Sequence, residues 1–193
     1  MRTKLTYLDY VALPEDGKRY ELIDGELIEM AAPSFEHQAV VFELAGQLRN
    51  YMKGKTFRGV ASPIDVRLVF PGQGPACFNV VQPDLLVVCD VAKIDRPGVI
   101  GAPDFVLEVL SPSSRTHDRD VKLKLYEQFG VREYWIVDAD AQFVDVYRRD
   151  GERFLAAERF NFDRNLAVHA VAGLAFDLEE LVRELDMLDR EDA

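Results

Sequence analysis

The spacing of hydrophobic residues changes several times along the chain. From Tyr20 to Met30 apolar and polar positions alternate on either side of Asp24-Gly25, a dipeptide that favours a two-residue hairpin turn. After Ser34, a good helix cap, the period lengthens. Val40, Val41, Leu44, Ala45, Leu48 and Tyr51 recur at helical spacing and predict a helix to about Met52. Thr6 is placed to cap a shorter helix to Leu13, stopped by Pro14. Strands are predicted over about 57–60, 64–70, 84–89 and 105–110. Pro71-Gly72-Gln73-Gly74-Pro75 and the stretch 91–101, with Pro97 and Gly98, read as loops. Ser111-Pro112-Ser113-Ser114 breaks the 105–110 strand and leads to a helix over about 118–129, closed by Gly130. A second hairpin, 134–138 with 143–148, turns around 139–142. Weaker strands follow near 154–160 and 167–171, then an amphipathic helix over about 178–188.

The order of hairpin, helix, strands, helix and hairpin places the chain in the α/β class: an α+β mixed sheet flanked by helices. Its 193 residues suffice for one domain, 1–193, and contain no repeat or linker. Hydrophobic residues make up 48% and charged residues 30%, a globular composition. No apolar run approaches the roughly 18 residues of a membrane span, and the first residues hold no signal-peptide core, so a cytoplasmic protein with no membrane partner is expected. Cys77 and Cys89 are expected to be small buried or half-buried residues. Together with the scattered His37, His117 and His169 they form neither a disulfide framework nor a zinc site. The net charge of −11 weighs against general electrostatic DNA binding, although more than half of it falls in the acidic segment from Asp177 onward.

The chemistry concentrates in two apolar strands. Phe105-Val106-Leu107-Glu108-Val109-Leu110 is apolar on both pleat faces and should be central, yet Glu108 lies inside it. An ionised carboxylate there is costly unless a cation or strong donors compensate it. Asp84 opens the other strand, after Pro83. If the two strands are antiparallel neighbours, Asp84 and Glu108 meet at one end of the sheet and suit a hard divalent cation such as Mg²⁺. The 118–129 helix is expected to bury Val121, Leu125 and Phe129. Lys122, beside that stripe, could reach the carboxylates to orient a water or steady a pentacovalent phosphate. Simpler readings compete: Asp84 as a turn cap, Glu108 in a buried ion pair with an arginine, Asp118 and Lys122 as a surface pair four residues apart. Ser111 reads as turn-forming and Trp135 as core. The face formed by Leu178, Leu181, Val182, Leu185 and Leu188 is expected to pack on the domain or on a second copy.

A longer set of motifs runs in order: Tyr20-Glu21-Leu22-Ile23-Asp24-Gly25-Glu26-Leu27, Pro33 with His37, Gln82-Pro83-Asp84, Gly101-Ala102-Pro103-Asp104, Glu108-Val109-Leu110-Ser111-Pro112-Ser113, and Lys122, Tyr126, Gly130-Val131 and Glu133-Tyr134-Trp135-Ile136-Val137-Asp138. Over about residues 5–150 the chain resembles the Uma-two family of restriction endonucleases, in the PD-(D/E)XK superfamily. The resemblance implies a restriction endonuclease-like core with an N-terminal hairpin, extended by further strands and the acidic helix over about 151–193. It makes Asp84 the motif aspartate and Glu108 the motif glutamate, both metal ligands. Leu110 stands where the superfamily's lysine is usual, and the resemblance moves that role to Lys122. Glu21 and His37 become accessory candidates. Glu21 reads equally well as an exposed hairpin acid, and His37 as a packing or helix-surface residue.

The leading expectation is an endonuclease that uses Mg²⁺ or Mn²⁺ to hydrolyse phosphodiester bonds, in DNA, and a homodimer would let two sites face one duplex. The alternative is a non-catalytic binding or scaffold protein that retains the nuclease fold. A hydrolase of another phosphate ester is a third option, since fold does not set substrate.

Overall fold

The structure is a computed structural model that describes residues 3–70, 77–111 and 114–191, without the side chains of 188–191; the loop expected at 71–75 lies outside these residues. Helix α1 (Tyr7–Val11) precedes the hairpin β1 (Arg19–Ile23) and β2 (Glu26–Met30), then α2 (Phe35–Tyr51). Next come β3 (Arg58–Ala61), β4 (Asp65–Arg67), β5 (Val80–Val81), β6 (Leu85–Val88), β7 (Gly98–Ile100) and β8 (Phe105–Val109). A π-helical turn (His117–Lys122) runs into α3 (Leu123–Phe129). The chain continues through β9 (Glu133–Asp138), β10 (Phe143–Asp150), β11 (Arg153–Phe154), β12 (Glu158–Asn161), β13 (Asn165–Ala167), β14 (Ala175–Asp177) and α4 (Glu179–Glu191).

Local chemistry sets the boundaries. The hairpin turns on Asp24 (φ 52°) and Gly25 (φ 80°), both left-handed as a two-residue turn between twisted strands requires. Ser34 Oγ accepts the His37 amide at 3.2 Å and starts α2. Gly130, at φ 93°, ends α3.

The strands form two mixed sheets and a small ribbon. One sheet runs β2-β1-β5-β4-β7; the larger runs β11-β10-β9-β8-β6-β3, with β12 also on β10; β13 pairs with β14. Strand β7 falls inside the expected 91–101 loop. It is three residues long and lies parallel to β4. A Cβ on Gly98 would stand 2.1 Å from the Asp65 carbonyl oxygen, so only glycine permits the approach. The strand expected at 154–160 divides into β11 and β12. The one expected at 167–171 stops at Ala167 and pairs with the unexpected β14. Each of these pieces is too short to show a period of its own.

Strand β8 is central, antiparallel to β6 and parallel to β9. Its residues are buried on both faces. Phe105, Leu107 and Val109 pack with Leu85 and Val87 under Val40, Val41, Leu44 and Leu48 of α2. Val106 and Leu110 face the other way, with Leu86, Val88, Leu125, Tyr126 and the second sheet. The pleat therefore puts Glu108 on the α3 side. Trp135 is buried in the first cluster, edge-on to Phe105 at 5.4 Å. Leu166, Val168, Phe176, Leu178 and Leu181 join the same cluster, with Val182 and Leu185 packed against it, so the apolar face of the C-terminal helix lies on the domain as far as Leu185; the side chain of Leu188 lies outside the described residues.

Two burial expectations fail. Val121 is 38% exposed, because the wider π turn shifts the helical phase so that Asp118 and Lys122 point inward instead. Cys89 is exposed, just beyond the end of β6, whereas Cys77 is buried. Among the described residues, no helix is long and apolar enough to cross a membrane.

Candidate metal and active site

Continuing the β6–β8 register one step past Leu85↔Leu107 sets Asp84 opposite Glu108. The Val109 amide donates to Asp84 Oδ2 at 2.8 Å, and the Asp84 amide approaches Glu108 Oε2 at 3.4 Å. Asp84 is thus tied to its neighbouring strand, and Glu108 pairs with a lysine, not an arginine. Lys122 Nζ lies 2.9 Å from Glu108 Oε1, 3.0 Å from Glu21 Oε1 and 3.5 Å from Asp118 Oδ1. All four of these side chains are at most 4% exposed, so Asp118–Lys122 is no surface pair.

Glu21 reaches the group from β1. It is 2% exposed, not an exposed hairpin acid, and its Oε1 also accepts the Gln82 amide at 2.8 Å. His37, on the first turn of α2, turns inward and sets Nε2 3.3 Å from Asp84 Oδ1. Three further residues had not been singled out for the site. The Tyr126 hydroxyl donates to Glu108 Oε1 at 2.9 Å, His117 Nε2 stands 3.5 Å from Glu21 Oε2, and Asp118 faces Lys122. The spacing 118–122–126, one helical row, was the signal that could have found two of them.

Burial and charge pull on this group in opposite directions. Burial would lower the Lys122 pKa, but Glu108, Glu21 and Asp118 override it and hold the ammonium well above an ordinary lysine. Burial pushes Glu108 well above the carboxylate range against Lys122, and Asp118, Asp84 and Glu21 push the same way. Burial raises Asp118 too, against Lys122 and a hydrogen bond from Ser114. Glu21 ends at about 2: burial works to raise it, but Lys122, His117 and the Gln82 amide prevail. The group borders a cleft of about 320 Å³, walled on one side by the β1–β2 hairpin and its exit and on the other by Ser111, Ser114, His117, Asp118 and Lys122.

A model of the Uma2 family, described as "Putative restriction endonuclease", matches residues 7–179. The chain belongs to the Uma2 family. The match extends beyond the resemblance at 5–150 and takes in the strands β11 to β14. Two uncharacterized proteins of Synechocystis are similar over most of their lengths. One, slr1290, is 25% identical over 94% of this chain and 93% of its own. The other, sll1609, is 26% identical over 77% and 83%. Among solved structures, the crystal structure of a putative nuclease belonging to DUF820 from Anabaena variabilis superposes with a TM-score of 0.74. It is 22% identical and covers 94% of this chain and 99% of that one. This Uma2 member therefore has the mixed α+β, nuclease-like fold of that neighbour.

Proposed function

We propose that this Uma2 protein is a metal-dependent nuclease that hydrolyses phosphodiester bonds in nucleic acid, DNA being the form its family description suggests. Asp84 and Glu108 are its ligands for Mg²⁺ or Mn²⁺, and Lys122 is its catalytic cation. The observation that carries this reading is a lysine buried among carboxylates from three separate elements at the wall of one cleft.

The residues suit a hard divalent ion. One ammonium, Lys122, stands among three carboxylates, Glu21, Glu108 and Asp118, with Asp84 beside Glu108 on the neighbouring strand. The buried Asp118 Oδ1 has no hydrogen-bond donor. Among the described residues, no group of three or more metal-ligating side chains forms a protein cage. Mg²⁺ does not require one, since it keeps several waters beside one or two carboxylates. When bound, the cation lowers the pKa of a coordinated water and offsets phosphate charge.

The chain's own groups do the rest. Lys122 and Tyr126 occupy Glu108 Oε1, while Oε2 meets only the long contact from the Asp84 amide at 3.4 Å and keeps a lone pair to spare. The Val109 amide fixes Asp84 Oδ2, while Oδ1 faces His37. With its raised pKa, Lys122 stays an ammonium at neutral pH; it donates to an oxygen and does not act as a base.

The test is calorimetric titration of Mn²⁺ into wild type, Asp84→Ala and Glu108→Ala, beside cleavage assays of Glu108→Gln. Binding lost in both alanine variants, with cleavage lost in Glu108→Gln, is the expected result. Full cleavage by Glu108→Gln would overturn the assignment. A wild type that neither binds Mn²⁺ nor cleaves would indicate a scaffold that has kept the fold alone.

A further inference from the structure

The cations of this acidic chain are unevenly spread. Between Leu44 and Ile64 it carries Arg49, Lys53, Lys55 and Arg58 and no aspartate or glutamate. All four are exposed, at the C-terminal end of α2 and the start of β3. Among the described residues none of them is ion-paired to a carboxylate: Lys53 donates to Asn50 Oδ1, Lys55 lies over the Tyr51 ring, and Arg58 donates to backbone carbonyls. The other end of α2 is acidic. Glu36 stands in its first turn, and the cleft beyond is lined by Glu21, Glu29, Asp84, Glu108 and Asp118. Arg19 and Lys122, the lysine and arginine of that lining, are both engaged: Arg19 holds Gln82 Oε1 at 2.7 Å, and Lys122 is shared among three carboxylates. Among the described residues the cleft therefore has no free lysine or arginine for the phosphates that flank a scissile bond.

The α2 surface between these two ends is apolar and open. Val40, Val41, Leu44 and Leu48 face the core. On the opposite side, turned away from the cleft, Phe35 is 76% exposed and Phe42 is 81% exposed. Two turns separate them, so the rings lie on one line about 10 Å apart, which Arg49 and then Lys53 continue. Beside Phe42 on this line, Gly46 leaves open space. Large rings repeated along one line form a contact surface, unlike hydrophobic residues scattered singly.

A second copy fits both the apolar line and its charged ends. Two such helices crossing antiparallel on a two-fold axis at Phe42 set each ring against the partner's Phe42 and into the space at the partner's Gly46. Positions equidistant from the axis then meet. The partner's Arg49 comes level with Phe35, and the partner's Lys53 about one turn beyond it, level with Ala31. Ala31, Ala32 and Pro33 are exposed and belong to the lining of the cleft. A parallel pair would set basic end against basic end and lose the attraction.

We infer that this chain forms a two-fold dimer through the outer face of α2, in which each copy's Arg49 and Lys53 serve the other copy's cleft as phosphate-binding cations. The dimer stands on the helix alone. The phosphate contact rests on the nuclease reading and supplies the positive charge that the cleft lacks.

Sedimentation equilibrium tests the dimer. Wild type should have twice the chain mass of 21.9 kDa, and Phe42→Glu the single mass. Disulfide trapping in a Cys89→Ser background tests the direction, since Cys77 is buried. Phe42→Cys, at the axis, should link to itself, whereas Lys53→Cys, roughly 30 Å from its counterpart, should not. Mixing tests the shared cations in Mn²⁺-dependent cleavage of duplex DNA. Arg49→Gln/Lys53→Gln keeps the carboxylate site, and Glu108→Gln keeps the basic end. Each alone should cleave at least about tenfold more slowly than wild type. In an equal mixture, equilibrated by dilution and reconcentrated, half the dimers are mixed and hold one complete site of two. About a quarter of the wild-type rate should then return. Duplex binding by anisotropy, with Ca²⁺ in place of Mn²⁺, needs no cleavage: the Arg49→Gln/Lys53→Gln variant should lose roughly two from the log–log salt slope. A monomeric wild type, self-linking of Lys53→Cys, an Arg49→Gln/Lys53→Gln variant as fast as wild type, or no recovery on mixing would overturn the inference and leave the nuclease reading standing. A dimer that shows the expected salt slopes and never cleaves would uphold the inference and remove the nuclease reading.

Discussion

Replacing Lys122 with methionine isolates the central electrostatic claim. Methionine is close in length and apolar, so the space stays filled while the charge goes. In metal-free protein with a chelator present, Glu108, Glu21 and Asp118 would then share a site that is at most 3% exposed, without their ammonium. Removing one partner of a buried pair costs about 3–5 kcal/mol. An independent bound agrees. The folded variant can escape by protonating one carboxyl, which at pH 7.5, three units above the ordinary glutamate value, costs about 4 kcal/mol. At pH 5 the same protonation costs under about 1 kcal/mol. The variant's deficit should therefore be about 4 kcal/mol at pH 7.5 and shrink by about 3 kcal/mol at pH 5.

The sign follows from linkage. A carboxyl whose folded pKa lies above its unfolded one binds protons preferentially in the folded state, so stability rises as pH falls. In the wild type the raised Lys122 contributes stability that is complete below 10.5 and lost only as pH rises through its folded value. Glu21, held down at about 2, contributes stability present above 4.5 and lost as pH falls through about 2. Neither titrates between pH 5 and 7.5. Glu108 already slopes the other way, so the variant must show the steeper slope. Urea unfolding read by the single, fully buried Trp135 is the assay, with a drop in Tm of roughly 8–16 °C as a second readout. A deficit below about 1 kcal/mol at pH 7.5, or one undiminished at pH 5, would refute the reasoning.

Other outcomes follow from single contacts. Tyr126→Phe removes a buried hydroxyl that donates to Glu108 and should cost about 1.5–3 kcal/mol, read as a lower urea midpoint at unchanged slope. Asp145→Asn should cost about 1 kcal/mol at neutral pH. Burial raises Asp145, but hydrogen bonds from Arg159 and Arg119 lower it overall, and Arg159 is half exposed. Because that pKa is depressed, the gap to wild type should close as pH falls below 3.8, which parallel acid titrations would follow. Glu133→Gln should cost about 1–3 kcal/mol in thermal unfolding, since Glu133 accepts both Trp135 Nε1 at 2.7 Å and the Ala170 amide at 2.8 Å, and an amide has only one accepting oxygen.

Much of the frame was legible before any coordinates. Asp24-Gly25, Ser34 and Gly130 mark boundaries because each satisfies a local backbone requirement that its neighbours cannot alter. The double-sided apolar run 105–110 announced a central strand, and a glutamate inside it announced a partner to be found. Strands β7 and β14 were not legible. Three residues carry no period, and each strand is held by a pairing distant in sequence. Val121 was misread because a π turn changes phase without changing composition.

The candidate site divides in the same way. Asp84 and Glu108 could be named from the sequence because a buried strand makes a charge conspicuous, and Lys122 from its place beside the apolar stripe of the following helix and from the family resemblance. Glu21 could not be weighed that way: on a hairpin with one face open to water an acid is ordinary. Only the packing of β1 against the π turn, which brings Lys122 within 3.0 Å, makes Glu21 a buried partner. Local sequence determines where the backbone turns and which faces are apolar. Which charges must share one desolvated space is decided by contacts between segments 14 to 101 residues apart, such as Glu108 and Glu21 around Lys122, and no local pattern records those contacts.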